Sequence, residues 1–274
     1  MIASGDPRHN SGQSNSNVGV GSSLFEVIQL EKSFGGIRAL CGVSLRLEKE
    51  GIVSIIGPNG AGKTTFINVT TGTYFPDEGD VYFRGQNISG LPAHMVAHLG
   101  ISRTFQLEDL FSSMTVLENA MVGCHTGSRT GMFAAGFRLR SAREEENRTR
   151  DEAMENLGMV GLEHRAADEV SSLPLGERKM LGIARSLGVK PNLIMLDEPA
   201  SGLAAHEIAK LGDLVQKLVE NRLAVIIVEH NMPFVMSISK RVIVLDYGRK
   251  IADGSPDDVR ADPGVIKAYL GEED

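Results

Sequence analysis

Cysteine is scarce in this chain. Cys41 and Cys124 are the two examples among 274 residues, and they stand in unlike contexts with no C-x-x-C or Cys/His spacing. That argues against a disulfide-stapled scaffold and against a thiolate metal site, and free thiols in a reducing compartment are expected. Long hydrophobic runs are missing too. No apolar stretch approaches the roughly 18 residues needed to cross a bilayer. The opening MIASGDPRHNSGQSNSNVGVGSS carries no apolar h-region of a secretory signal, so the cytoplasm is the expected location. Positive charge is in deficit: 28 Lys and Arg against 35 Asp and Glu leave a net charge of -7. Such a balance disfavours a surface built to neutralise a phosphodiester backbone, and nucleic acid is not an expected partner. Internal repeats and long heptad runs are absent as well, which removes solenoid and coiled-coil readings.

What remains is the composition of a globular α/β protein. With 42% hydrophobic and 23% charged residues, the chain can bury a full core as one large domain or as two lobes of one. Residues 1–22 are rich in Ser, Gly and Asn and read as a flexible tail. From Leu24 onward, FEVIQLEKSF and VSLRLE are β-like runs and GIVSIIG is a continuous apolar one. DEGDVYFRGQNI reads as a hairpin returning to a sheet edge. Residues 91–187 are mostly helical in pattern, and their charged run SAREEENRTRDEAMENL suits a solvated helix face. LIMLDEP, LAVIIVEH and KRVIVLDYGRKIADG then follow as buried-strand candidates separated by helix-length segments such as HEIAKLGDLVQKLVE. Apolar strands alternating with helices predict an α/β core of parallel strands, with the helical middle as a separate lobe.

The strongest chemical signal is GPNGAGKTT, residues 57–65, a full match to GxxxxGK[ST] between the apolar run IVSII and the helical TTFINVTTG. Gly57, Gly60 and Gly62 let the backbone wrap a polyphosphate, with Pro58, Asn59, Ala61 and Thr65 completing the loop. Its amides and the helix N-terminus supply positive potential. Lys63 is placed to reach the β and γ phosphates, and Thr64 offers a hydroxyl to Mg²⁺. Downstream, LIMLDEP supplies Asp197 at a strand end for the metal shell. Glu198 beside it is suited to polarise a water for attack on a γ-phosphate.

The order of these segments resembles the ATP-binding cassette ATPases of membrane transporters. The resemblance runs through GPNGAGKTT, the RTFQ strand end, the SSLPLGER turn, LIMLDEP, the SGLAAHE loop and the strand-terminal VEH, and it covers nearly everything from Leu24 onward. It implies a P-loop NTPase fold with a RecA-like core, an antiparallel β subdomain and an inserted helical lobe, with residues 23–274 as one ATPase domain. It further implies that Phe34 in KSFGG stacks on adenine and that His230 contacts the γ-phosphate. By the same likeness, Gln106 links the metal, the attacking water and the coupling to the transporter.

By that resemblance the L-P-L-G-E segment is the signature turn, in which Leu175, Gly176 and Glu177 meet the ATP held by a second subunit. Pro174 stands where the family carries a serine, and Ala204 in SGLAAHE where an aspartate is usual. Proline is tolerated in the first turn of a helix and leaves the following amides free to donate. The segment FSSMTVLENAMVGCHTGSRTGMFAAGFRLRSAREEE and the ending DPGVIKAYLGEED are similar to the larger cassette of high-affinity branched-chain amino-acid importers. That likeness implies an ATPase with ATP and Mg²⁺ as cofactors, acting peripherally on the cytoplasmic face of the inner membrane. Its implied partners are a second cassette, two permease subunits and, indirectly, a periplasmic solute-binding protein. Related cassettes serve urea, short-chain amides or lipopolysaccharide export. A soluble non-transport P-loop ATPase is the reading from a different class.

Overall fold

Each apolar run becomes a strand that alternates between two hydrophobic layers. The computed structural model describes residues 23–104, 110–124 and 139–270. The tail expected over 1–22 and Gln106 lie outside them. A six-stranded sheet forms the centre, in the order β10-β9-β3-β8-β7-β6. Its members are β3 (Gly51–Ile56), β6 (Ile101–Arg103), β7 (Leu193–Asp197), β8 (Ala224–Val228), β9 (Arg241–Asp246) and β10 (Arg249–Gly254). All pair in parallel except β9 with β10. Alternate residues serve opposite faces, as a strand period of two requires. Ile194, Leu196, Val225 and Ile227 join one hydrophobic cluster. Leu193, Met195, Ala224, Ile226 and Val228 join the other. A sheet covered on both faces needs apolar side chains at every position, which is why these runs read as continuous rather than alternating.

A second sheet is antiparallel, in the order β2-β1-β4-β5, from β1 (Phe25–Phe34), β2 (Ile37–Leu47), β4 (Glu78–Phe83) and β5 (Gln86–Asn87). The hairpin expected in DEGDVYFRGQNI is β4–β5 at its edge. Arg84 and Gly85 turn it with φ of 50° and 77°, the paired left-handed residues of a two-residue hairpin. KRVIVLDYGRKIADG is two strands, not one. Tyr247 and Gly248 at φ 43° and 74° fold β10 back on β9 by the same device.

The helical lobe contains α3 (Val116–Cys124), α4 (Leu139–Val160) and α5 (Leu175–Leu187). The stretch expected to be helical from Leu91 is interrupted by β6, which follows α2 (Ala93–Leu99) and pairs with β7 in the central sheet. Three residues are too few to show a strand period. In α4 the charged residues face outward as expected, while Ala153 and Leu157 are fully buried one turn apart. The lobe shares a hydrophobic cluster with one face of the sheet and with α6 (Ala205–Glu220), through Leu211, Leu214, Val215 and Leu218. The remaining helices are α1 (Lys63–Thr70), α7 (Met232–Ile238), α8 (Pro256–Ala261) and α9 (Pro263–Leu270). Among the described residues, no helix is long and apolar enough to cross a membrane.

Candidate phosphate-binding site

The loop between β3 and α1 is shaped by what its glycines exclude. A Cβ at Gly57, where φ is +153°, would stand 2.1 Å from the Leu245 carbonyl oxygen. At Gly62, with φ +99°, it would stand 2.4 Å from the carbonyl of Ala39. No side chain fits at either position, so the backbone seats directly on β9 and β2. The loop is tied further by the Gly248 amide, which donates to the Ala61 carbonyl at 3.0 Å, and by the Cys41 amide, which donates to Gly248 at 2.8 Å. Tyr269 of α9 lies close to the Gly57 amide, whose influence opposes the upward push of burial on that phenol.

In α1 the first helical hydrogen bond runs from the Phe66 amide to Gly62. The amides of Lys63, Thr64 and Thr65 precede that ladder and point out of the helix start, an arrangement that favours anions. Lys63 is buried, and its ammonium donates to the carbonyls of Gly57 at 2.8 Å and Pro58 at 2.9 Å. Burial draws its pKa below the ordinary lysine value, against the pull of Glu198, Asp197 and Glu229.

The carboxylates come from the end of β7. Asp197 has a carboxyl raised above its ordinary range, by burial first and by the neighbouring Glu198 second, with Arg103 and Lys63 opposing. Its Oδ1 is buried without a hydrogen-bond partner among the described residues. Buried carboxylate oxygens are ordinarily satisfied, so an orphan of this kind is an acceptor awaiting a group. A hard divalent cation fits it, since Thr64, Asp197 and Glu198 line one cleft of about 640 Å³ and all offer oxygen.

Glu198 has a left-handed backbone with φ 47°, which for a residue with a side chain costs on the order of 1–3 kcal/mol. Its amide donates to the Val228 carbonyl at 2.8 Å, and its own carbonyl accepts from Lys179 at 2.9 Å. His230 follows β8, and its Nδ1 stands 3.7 Å from Glu198 Oε2. The structure therefore brings Thr64, Asp197, Glu198 and His230 toward one place, as expected from sequence. Phe34 ends β1 at 41% exposure, edge-on to Tyr74 with ring centroids 5.2 Å apart. The Lys32 ammonium stands over its ring at 5.5 Å from the centroid, and Phe34 sits on a hairpin whose second strand touches the phosphate loop.

The signature turn lies elsewhere. Leu175, Gly176 and Glu177 open α5 and do not line the cleft. Pro174 is the N-cap, one position before the helix proper, with φ −58° and ψ 160°. The Arg178 amide bonds the Pro174 carbonyl at 3.0 Å, so the amides of Leu175, Gly176 and Glu177 precede the helical ladder. Gly176 is packed closely: a Cβ there would stand 2.2 Å from Glu207 Oε1, and Glu207 is itself held by the Ala204 amide at 2.8 Å. Glu177 has Arg165 at 3.2 Å.

Two charged residues beside the site escaped sequence reasoning. Lys179 reaches the Glu198 carbonyl from α5. Glu229 has no exposed surface, and it accepts from the amides of Ala200 at 2.6 Å, His230 at 2.9 Å and Asn231 at 3.1 Å. A carboxylate at the end of the wholly apolar run LAVIIV was the available signal.

Comparison with known proteins agrees with this geometry. Residues 40–201 match the family described as ABC transporter. Residues 249–274 match that described as branched-chain amino acid ATP-binding cassette transporter. The chain is 42% identical over 250 residues to the high-affinity branched-chain amino acid transport ATP-binding protein BraF of Pseudomonas aeruginosa, covering 91% of this chain and 98% of that one. It is 41% identical over the same shares to LivG, of the same description, in Escherichia coli. Among solved structures, a nucleotide-free ATP-binding cassette from an ABC transporter superposes with a TM-score of 0.81 at 32% identity, covering 91% of this chain and all (100%) of that one. The ADP conformation of an ATP-binding cassette of an ABC transporter gives 0.80 at 32%, over 92% and 100% of the two chains. With its motifs in order, its two sheets and helical lobe in place and relatives matched along nearly their whole length, the chain belongs to the ABC transporter family, among its branched-chain amino acid ATP-binding cassettes.

Proposed function

We propose that this chain is the ATP-binding and ATP-hydrolysing subunit of a transporter that takes up branched-chain amino acids. The observation that carries the reading is the pairing of a sterically enforced phosphate loop with an orphaned Asp197 oxygen and a strained Glu198 in one cleft. The loop amides and Lys63 hold the phosphates, and Phe34 offers its ring to the adenine. Thr64 and Asp197 would hold Mg²⁺, with Gln106 as a third ligand; the ion would neutralise charge on the phosphate oxygens. Glu198 accepts a proton from the attacking water and orients it toward the γ-phosphate, while His230, beside Glu198, contacts that phosphate.

The free amides at the start of α5 are suited to the nucleotide of a second cassette, so two cassettes would enclose two nucleotides between them. Two permease subunits would receive the resulting motion through the helical lobe and the surface around Gln106. The chain would then sit on the cytoplasmic face of the membrane, served indirectly by a periplasmic binding protein.

Two measurements test this reading. Lys63→Ala removes a charged contact worth roughly 1.5–3 kcal/mol, so ATP affinity of the purified chain is expected to fall about 10- to 150-fold by equilibrium binding. Proteoliposomes holding the chain with its companion cassette and permeases, supplied with internal ATP and external binding protein, are expected to accumulate labelled leucine, isoleucine or valine. Accumulation of urea or a short-chain amide instead would reassign the solute. ATP hydrolysis that no solute stimulates would remove the transport role.

A further inference from the structure

Glu198 adopts a left-handed backbone that a residue with a side chain keeps only when its surroundings over-determine it. Four hydrogen bonds do so here. Two are ordinary, from the Glu198 amide to the Val228 carbonyl and from the Ser201 amide to the Glu198 carbonyl at 3.3 Å. The other two come from charged side chains to which the proposed mechanism gives no task. Lys179 Nζ donates to the Glu198 carbonyl at 2.9 Å, and Glu229 Oε1 accepts from the Ala200 amide at 2.6 Å.

We propose that Lys179 and Glu229 are positioning residues that clamp the turn at residues 198–200 from both sides, so that the Glu198 carboxylate is held toward the cleft and His230. The inference rests on the reading of Glu198 as the residue that activates water. Glu229 does more than fill space. Its second oxygen accepts from the amides of His230 and Asn231, so one carboxylate ties the turn bearing Glu198 to the segment bearing His230. Burying a charge without exposed surface is unfavourable unless every oxygen is used, and here both are. Lys179 faces the same carboxylate. Its own burial lowers its pKa, and the charges of Glu229 and Glu198 pull it back. A neutral residue at either position would remove one of the two charged contacts and leave the strained turn to its main-chain bonds and the other.

The clamp also has a direction. Lys179 lies on α5, whose opening turn is offered to the second cassette's nucleotide, whereas Glu198 serves the chain's own. The posture of Glu198 therefore answers to the placement of that helix.

The test uses the full chain in the assembled transporter, with Glu198→Gln as reference. Lys179→Met is expected to leave nucleotide affinity and KM within about twofold while lowering kcat about tenfold to a hundredfold, the signature of a contact that matters in the transition state. Lys179→Arg restores a donor and is expected to recover most of the loss. In the double variant, Lys179→Met is expected to slow Glu198→Gln no further, because both act through one carboxylate. Glu229→Gln keeps the volume but turns one oxygen into a donor that must face either the Ala200 amide or the His230 and Asn231 pair, so it is expected to lower kcat in the same way; should it melt early, the Lys179 series decides. A Lys179→Met transporter with wild-type kcat, or losses that multiply in the double variant, would overturn the clamp alone. Wild-type hydrolysis by Glu198→Gln would overturn the reading of Glu198 and the clamp with it.

Discussion

Glu198→Gln is expected to bind ATP and Mg²⁺ as the wild type does while turning over about 10²- to 10⁴-fold more slowly, the usual worth of general-base help. The substitution keeps the side chain's length and an oxygen near His230, but removes the proton acceptor. Because the Glu198 main chain is held by the Val228 carbonyl, the Ser201 amide and the Lys179 ammonium, the amide should sit where the acid sat. ATP-bound assemblies should accumulate, since the step that discharges them is blocked. Binding is read by a fluorescent nucleotide and turnover by phosphate release. Turnover within threefold of the wild type would remove Glu198 from this role.

The second large effect concerns Gly176. Gly176→Asp should leave binding to the chain's own phosphate loop intact and abolish ATP-dependent association with a second cassette. A new carboxylate would face a γ-phosphate across the interface, and two like charges about 4 Å apart repel by about 4 kcal/mol at the effective dielectric of a protein surface. The structure adds a local cost. The first carbon of any side chain here meets Glu207 Oε1 at 2.2 Å, so the Glu207 side chain must swing aside and give up its bond from the Ala204 amide. Gly176→Ala separates the two, since it carries the carbon without the charge. Association is measured by sedimentation in the Glu198→Gln background, with the companion cassette supplied, and nucleotide affinity is measured independently. If Gly176→Asp associates normally around ATP, the turn is an ordinary helix start and not a phosphate site in trans.

Much of the site was legible because its chemistry is local. GPNGAGKTT carries its own geometry: glycines where a Cβ would meet Leu245 or Ala39, then a helix whose first amides are unpaired. Asp197 and Glu198 were readable as the polar end of an apolar strand. Pro174 was legible as a helix opener, though the structure makes it the N-cap rather than a first-turn residue. What could not be read depends on partners distant in sequence. Nothing in RKMLG says that Lys179 meets the carbonyl of Glu198. Nothing in VEHN says that Glu229 will find the amide of Ala200 behind the next strand. The fold-back at Tyr247 was missed for the opposite reason, being too short to impose a period on its surroundings, and the three-residue β6 was legible only through the resemblance, which ends a strand at RTFQ. Gln106 lies outside the described residues, so its part in coupling stands on resemblance.

The phosphate loop also bears on how the protein is made. GPNGAGKTT leaves the ribosome early, yet the strand that presents it, β3, is flanked by β8 and β9. The Leu245 carbonyl seats Gly57, the Gly248 amide bonds Ala61, and Tyr269 reaches the Gly57 amide from the final helix. Every one of these supports is translated after the helical lobe. The lobe's contacts are comparatively local, whereas the loop must wait for partners of large sequence separation, whose pairing is intrinsically slow. A nascent chain stalled before β8 would thus display the whole motif without a competent site, and nucleotide capture becomes one of the last events of biosynthesis.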